Sequence, residues 1–481
     1  MTKTTITTTQ RWVLGLSALA SFMVVLDLLV VATALPSIHR DLGASFEDLE
    51  WTVNAYTLSF AVLLMAGAAL GDRLGRRRMF AAGLVVFAAA SAACALATSV
   101  GALVAARTVQ GAGAAMIMPL ALALLNTAFP PERRGWATGV YGSVTALAVV
   151  LGPVLGGAVT QGLAWPWIFW INVPIALIAA PLVLSRVPES RGAAARLDFA
   201  GLLLGGLAAT GLVWALVREN RTGWGSAETV GAAVLGVAAL GAFVAWERRA
   251  SAPMLPLRLF RSRSFSAGNS AMFFLSAAVT GTVFFTAQFF QVGQGLSPLA
   301  AGLRLLPWGV LPMVLAPSAG ALADRIGARN LIAVGTLTFT AGTAALALAA
   351  TPHTSYLVLV GPILLSGAGL GVAVPAITRS AVSLVAPPDV AKASGAFSTL
   401  RQLGGAVGVA IGGAVFATTG GYGSTTLYVD GYTPAVFVVA LLALGATAAG
   451  LTLPRAVNAA TATPQAQPVP AGGRMPTGLV T

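Results

Sequence analysis

Long apolar stretches broken by short polar turns run through almost the whole chain. A helix needs about 20 apolar residues to cross the roughly 30 Å of hydrocarbon in a bilayer, where backbone groups must be satisfied within the segment. Such stretches lie near 12–36, 51–70, 79–98, 101–125, 137–160 and 166–185. Two more lie near 197–217 and 228–246, and six follow near 265–290, 298–322, 330–350, 354–383, 394–418 and 432–453. The pattern predicts an all-α polytopic membrane protein of fourteen transmembrane helices, an even number that puts both termini on one side. Boundaries blur around 354–400, where Pro362, Pro375 and the Pro387-Pro388 pair interrupt the run.

One segment recurs. Ala-Leu-Gly-Asp-Arg-Leu-Gly-Arg-Arg at 69–77 matches Ala-Leu-Ala-Asp-Arg-Ile-Gly-Ala-Arg at 321–329, each copy following an apolar span. Asp72 and Asp324 are eight spans apart, whereas two six-helix halves would put them six apart. An extra helix pair therefore separates the halves. The expected organisation is a six-helix bundle over 1–190, an inserted pair over 191–250 and a second six-helix bundle over 251–455. An Ala, Thr, Pro and Gly-rich cytoplasmic tail with little to bury is expected to be disordered over 456–481. Lys3 and Arg11 precede an apolar stretch that runs past Ala34 without a short cleavable core, so it reads as a retained first span.

Composition agrees with lipid as the main solvent: 57% of residues are hydrophobic and only 9% charged, with a mean hydropathy of +0.84. A soluble domain is nearer a quarter charged. The 55 glycines suit helices packed closely through small residues. The net charge of +13 invites a nucleic-acid partner, but its placement explains it otherwise. Arginines crowd one set of loops, from Arg73 and Arg76 through Arg133, Arg134, Arg186 and Arg191 to Arg248, Arg249, Arg258 and Arg329. Only Arg40, Arg218 and Arg221 fall in loops on the other side. By the positive-inside rule the crowded loops and both termini are cytoplasmic, and no nucleic acid is needed. Cys94, the single cysteine, lies in an apolar run and reads as a buried small residue.

A few polar residues interrupt the spans. Asp27 is the one acidic residue well inside a predicted span, and Arg107 lies several residues inside the fourth. An arginine in lipid costs a few kcal/mol unless it faces a cavity or a partner, so the two are natural partners. A lone buried carboxylate beside a cation suits a proton carrier; a static ion pair that fixes helix packing is the competing reading. Glycines form smooth faces: Gly152-Pro153-Val-Leu-Gly156-Gly157 in the fifth span, and Gly404, Gly408 and Gly412 at every fourth position in the thirteenth. Pro153 permits a kink. Asn54, Tyr56, Gln110, Gln288, Gln291 and Arg401 are candidates for lining a substrate cavity, since an amide in lipid needs a partner. Arg401 near a span end is equally read as snorkelling to water. Phe273, Phe274, Phe284, Phe285, Phe289 and Phe290 read as lipid-facing, and Glu50 as a solvated charge at a helix mouth. Trp165 and Trp167 read as interfacial anchors.

These motifs together resemble the major facilitator superfamily, in particular its fourteen-helix drug:proton antiporters, up to about residue 455. The resemblance rests on the loop Gly-Asp-Arg-Leu-Gly-Arg-Arg-Arg at 71–78 and its second copy, on Arg107-Thr-Val-Gln110-Gly111 and on Gly152-Pro153-x-x-Gly156-Gly157. It also rests on Trp165-Pro-Trp167-Ile-Phe169-Trp-Ile-Asn172-Val-Pro174 and on Arg401-Gln-Leu-Gly404-Gly405. Ala68 stands where the loop motif has its opening glycine and Pro166 where the tryptophan motif has arginine. Around Asp27 two polar positions of the family pattern are Leu29 and Ala32. The resemblance implies that Asp72, Arg73, Gly75, Arg76, Asp324, Arg325 and Gly327 form a cytoplasmic latch between the halves. It implies that Asp27 and Arg107 couple protons, and that the Gly152, Pro153, Gly156 and Gly157 motif marks an exporter.

The expected function is proton-coupled export of small hydrophobic or amphiphilic compounds, drugs or antibiotics, by two halves rocking about a midplane cavity. The alternative transporter is dedicated to one endogenous metabolite or self-made antibiotic. A membrane enzyme or a sensor is the reading from another class. Intramembrane hydrolysis wants paired carboxylates, a metal-binding cluster or an activated nucleophile at depth, whereas His39 and His353 fall at loop ends. No ATP-binding Gly-x-x-x-x-Gly-Lys loop is present. The expected partners are a small-molecule substrate, protons and the bilayer, with no catalytic residues, metal or cofactor beyond the proton gradient. The chain is expected to work as a monomer in a bacterial-type inner membrane.

Overall fold

The computed structural model describes residues 6–192, 197–382, 385 and 389–453, which contain helices and no strand. Polar caps set where the apolar stretches begin. Thr7 accepts the backbone N–H of Gln10 while the Gln10 side chain returns to Thr7, and Ser45 and Asp48 do the same one helix later. Fourteen helices are long and apolar enough to span a membrane. The first six are α1 (Thr8–Leu42), α2 (Phe46–Leu74), α3 (Arg76–Ala95), α4 (Val100–Ala128), α5 (Pro131–Gly162) and α6 (Trp167–Arg186). Then come α7 (Phe199–Thr222) and α8 (Ala227–Arg249). The last six are α9 (Arg263–Gly293, ending in a π turn), α10 (Pro298–Ile326), α11 (Ala328–Ala349), α12 (Tyr356–Val382), α13 (Val390–Thr419) and α14 (Thr425–Leu451). Each predicted span has its helix. The expected tail over 456–481 lies outside the described residues.

The packing repeats as the sequence does. In the first six helices α4 packs on α2 and α3, α5 on α1, and α6 on α3. In the last six α12 packs on α10 and α11, α13 on α9, and α14 on α11. Missing side chains make the closest approaches. A Cβ on Gly152 would lie 2.6 Å from Cβ of Leu29, and one on Gly156 2.8 Å from the Val30 carbonyl oxygen, so α5 rides on α1. Gly404 and Gly408 press α13 on the carbonyls of Phe273 and Ala277 in α9 in the same way. The turns between α2 and α3 and between α10 and α11 also match: Gly75 has φ 111° and Gly327 φ 84°, a region that strains any residue with a Cβ.

Two seams join the repeated sets, α5 against α10 and α2 against α13, and each is the counterpart of the other. Toward the arginine-poor side α5 and α10 touch, with Gly157 on Pro298, Gly302 on Pro153, and Gly309 3.1 Å from Val150 if given a Cβ. Toward the arginine-rich side they part, and a Cβ on Gly135, Gly139, Gly142 or Gly320 would meet open space. The pair α7–α8 flanks this body, with α7 against α2 and α13. Arg218 of α7 bonds Glu47 of α2 at 3.0 Å and Glu228 of α8 at 2.9 Å.

Candidate functional site

Three spans bring their polar residues to one point. Asp27 of α1, Arg107 of α4 and Asn172 of α6 are 1%, 0% and 1% exposed. Arg107 Nη1 lies 2.5 Å from Oδ2 of Asp27, and Gln110 Nε2 and Asn172 Nδ2 each donate to Oδ1 at 2.8 Å. The carboxylate thus accepts from three side chains, a donor set complementary to its ionised form. Arg107 is held from its other edges. Its Nη1 also donates to Gln110 Oε1 at 2.7 Å, its Nε donates to the Thr52 carbonyl at 3.2 Å, and its guanidinium stacks 4.2 Å above the Tyr56 ring. Ser91 of α3 accepts from Gln110 at 2.8 Å, and Cys94 lies one turn on, its sulfur 3.7 Å from Gln110 Oε1.

All these partners belong to α1, α2, α3, α4 and α6, so the cluster lies within the first six helices and is sealed from water here. The expected pairing of Asp27 with Arg107 is present. Thr52, Ser91 and Asn172 complete it without having been assigned a role from sequence. The signal for Thr52 and Ser91 was their polarity beside or inside apolar spans, and Asn172 also stood in the tryptophan motif; which of them meet depends on helix packing.

The remaining candidates scatter. Tyr56 and Gln110 are built into the charge cluster. Gln291 donates 2.9 Å to the Thr33 carbonyl, from α9 to α1, and Gln288 accepts from Tyr422, so both close the arginine-poor end. Asn54 is fully buried with neither amide atom hydrogen-bonded. Arg401 of α13 lies within electrostatic reach of Tyr141 of α5, across the cleft where the helices part. The motif Gly152, Pro153, Gly156 and Gly157 lies between α1 and α10.

In the first loop copy Asp72 accepts from Arg76 Nε at 2.7 Å, and Arg76 N–H and the Asp72 carbonyl bond Ser190 and Gly192 after α6. Glu189 accepts the Arg77 N–H at 3.0 Å, while Arg73 is exposed. These bonds stay within the first six helices and the segment that follows them. The side chains of Asp324 and Arg325 lie outside the described residues.

Three readings of single residues need correcting. Phe284, Phe285, Phe289 and Phe290 do not face lipid: α9 packs between α13 and α14, and these rings are 2% exposed or less, among Phe416, Tyr428 and Tyr432. Trp165 is not an interfacial anchor but 3% exposed, with its ring edge-on to Phe169, whereas Trp167 is 49% exposed. Glu50 is not a solvated end charge. Helix α2 starts at Phe46 rather than near 51, which places Glu50 inside it at 0% exposure.

The family model of the Major Facilitator Superfamily matches residues 17–409. The Multidrug resistance protein Stp of Mycobacterium tuberculosis is 36% identical over 414 residues, 85% of this chain and 76% of that one. The Puromycin resistance protein pur8 of Streptomyces alboniger is 36% identical over 96% of this chain and 95% of its own length. The Tetracenomycin C resistance and export protein of Streptomyces glaucescens is 35% identical over 83% of this chain and 75% of its own. A bacterial homologue of the human lysosomal transporter Spinster, solved inward-facing and unoccupied, shares the fold with a TM-score of 0.65 at 16% identity, over 92% of this chain and 98% of that one. With a repeated bundle of fourteen helices and a family match across most of its length, the chain belongs to the major facilitator superfamily.

Proposed function

We propose that the chain exports small hydrophobic or amphiphilic compounds, drugs and antibiotics among them, in exchange for protons. The halves α1–α6 and α9–α14 rock against each other about a cavity between them, with α7–α8 as an inserted pair. The arginine-rich loops and both termini face the cytoplasm, so the cleft between α5 and α10 opens inward here. The protein works as a monomer in the cell membrane, without a cofactor and without enzymatic chemistry. Relatives named for resistance and export support the direction.

One observation carries the coupling: α1 bears both Asp27 and the contacts that close the outer seam. One turn beyond Asp27, Val30 and Thr33 take the weight of Gly156, and Gly157 beside it rests on Pro298 of the other half. The Thr33 carbonyl also accepts from Gln291 of α9. Loading Asp27 with a proton dissolves its attraction for Arg107 and frees α1, and with it the seam that α1 supports. A ligand drives such a cycle only through different affinities for the two states, so substrate and proton favour opposite openings. In the loop at 71–78, Asp72 and Arg76 bond locally in this inward-open form and latch to the other half in the outward-open one.

Substrate-dependent proton movement in vesicles containing the purified chain tests this reading. Efflux without proton uptake would remove the exchange. A second reading, a transporter dedicated to one endogenous compound, draws on the relative named for tetracenomycin C. Neutral, monocationic and dicationic compounds compared in one efflux panel separate the two, since a dedicated exporter moves a single chemotype.

A further inference from the structure

Arg107, Arg304 and Arg401 lie well inside spans, and the first two are held there. Arg107 is bonded to Asp27, while Arg304 of α10 donates to Gln294 Oε1 at 2.8 Å and stacks on the Tyr356 ring. Arg401 of α13 is different. Among the described residues it makes no hydrogen bond, ion pair or ring contact, and only Tyr141 of α5 lies within its electrostatic reach. It sits about 13 Å along the axis from Lys392, where its span begins, too deep for the side chain to reach the membrane surface. It is partly exposed all the same, because it faces the cleft where the halves part. Helices α5 and α13 do not pack on each other, and a Cβ on Gly139 or Gly142, beside Tyr141, would meet open space. Tyr141 is oriented from behind: its hydroxyl lies 2.7 Å from Ser21 Oγ of α1 and 4.0 Å from the Met118 sulfur of α4. With Ser21 donating to it, the phenol can turn its own proton from that weak sulfur acceptor to a ligand.

We propose that Arg401 and Tyr141 are the recognition point for an acidic group, so that the amphiphiles exported are organic acids with a carboxylate on an apolar body. The inference deepens the export reading above and rests on it. An arginine keeps its charge in any protein, and inside a membrane domain that charge needs water or an anion. Its flat fork meets a carboxylate through two parallel hydrogen bonds, whereas an amide offers one oxygen and no charge. Among the described residues no carboxylate of the chain competes for it. Asp27 is engaged by Arg107, Gln110 and Asn172, Asp72 by Arg76, and Asp389 at the start of α13 by both Nη atoms of Arg258 at 2.7 Å. Glu132 is exposed on the first turn of α5, about 13 Å along the axis from Tyr141. Glu50 lies against Gly413, about three turns further along α13. A ligand held by Arg401 of one half and Tyr141 of the other feels the distance between them. It can therefore favour one opening over the other, as a driven cycle requires.

Equilibrium binding of matched pairs to the purified full chain tests this: pyrenebutyrate against pyrenebutanamide, and naphthoate and anthroate against their carboxamides. The parent should hold each acid roughly 10- to 150-fold tighter than its amide, the range that a hydrogen bond to a charged group supplies. Arg401→Gln should bring acid and amide level by weakening the acids alone, the unchanged amides showing that the site is intact. Arg401→Lys should keep the order with a smaller gap, because a point charge replaces the fork. Tyr141→Phe should narrow the gap as well. A parent that binds the amides as well as the acids, or binds neither, overturns the proposal, as does an acid preference that survives Arg401→Gln. Equal loss of acids and amides in that variant would make the arginine structural and overturns it too. Acid preference without substrate-driven proton flux would sink the exchange reading and leave this site standing; flux without acid preference would do the reverse.

Discussion

Asn172 donates its Nδ2 proton to Oδ1 of Asp27 at 2.8 Å, across 145 residues of chain. The same carboxylate oxygen receives Gln110, and the other receives Arg107, so α1 is bonded to α4 and α6 through one side chain. Packed small residues hold helices together in a bilayer whatever the state of charge. The cluster adds a charge-dependent part, and only that part can respond to a proton.

Neutralising one member and neutralising both should therefore differ. Asp27→Asn strands the Arg107 guanidinium in a dry site, and breaking such a pair costs about 3–5 kcal/mol. Adding Arg107→Gln removes the stranded charge and should restore most of the lost thermal stability. Proton-linked efflux should be abolished in both variants. Recovery of efflux together with stability in the double variant would make the pair a packing device with no role in coupling.

Asn172→Ala isolates the third donor. It removes the bond to Asp27 at 2.8 Å and a long one to Ser91 at 3.5 Å, interhelical bonds worth about 0.6 kcal/mol and at most about 1.7 each in membrane proteins. Gln110 still serves Oδ1, so thermal stability should fall only slightly. The carboxylate is less stabilised when charged, so efflux should be retained at a more alkaline external pH than in the parent. A pH profile that does not move would assign Asn172 to helix packing alone.

The Asp27–Arg107 pairing was legible because charges in the spans are so few that each nearly selects its partner. The fourteen spans were legible for a similar reason: length and hydropathy decide what crosses a bilayer. The start of α2 was not read correctly, although Ser45 and Asp48 form a capping box whose spacing was visible. Glu47, Asp48 and Glu50 made the first turns look like a loop. The burial of Glu50 had no local signal, since it arises from a glycine on α13. Asn172 stood in plain view as a polar residue in a span, but its partner Asp27 depends on how α6 lies against α1. The phenylalanines of α9 misled because aromatic residues in a span look alike whether they meet lipid or another helix.

Adjacent glycines in α5 should separate stability from conformational preference. Gly156 packs on α1 in its own half, whereas Gly157 packs on Pro298 of α10 in the other. Gly156→Ala overpacks a contact present throughout the cycle and should cost about 1–3 kcal/mol of stability. Gly157→Ala obstructs a contact made only when the outer seam is closed. It should leave the melting temperature nearer the parent's while widening the distance between spin labels on Asp41→Cys and Thr425→Cys, exposed positions at the outer ends of α1 and α14, in a Cys94→Ala background. Equal losses of stability would mean that α5 and α10 do not part.

The turn at Gly75 combines backbone strain with a steric contact. Its positive φ and extended ψ mean that alanine there costs about 1–3 kcal/mol in backbone strain. An added Cβ would also lie 2.7–2.9 Å from the Glu189 carboxylate, which accepts the Arg77 N–H. Gly75→Ala should therefore lower thermal stability less in a Glu189→Ala background than in the parent. An equal loss in both backgrounds would show that strain alone sets the cost.

Gln291 is the hydrogen bond between the halves whose loss is simplest to interpret. Its Nε2 reaches the Thr33 carbonyl at 2.9 Å, and that carbonyl belongs to a helix already satisfied along its backbone. Gln291→Ala therefore strands no buried charge and leaves no strained turn, and the folded bundle should lose little. What it removes exists only while the outer seam is shut, so its worth of about 0.6–1.7 kcal/mol should appear almost wholly as a shift between states. That corresponds to roughly a 3- to 20-fold change in the closed-to-open ratio, read from the labels on Asp41 and Thr425. Because the outward-open state releases substrate and collects protons, the variant should also reach half its maximal efflux at a less acidic external pH. If the labels stay at the parent's separation, the bond to Thr33 is incidental to closure, and contacts such as Phe46 of α2 stacked on Phe416 of α13 at 4.7 Å must hold the outer seam without it.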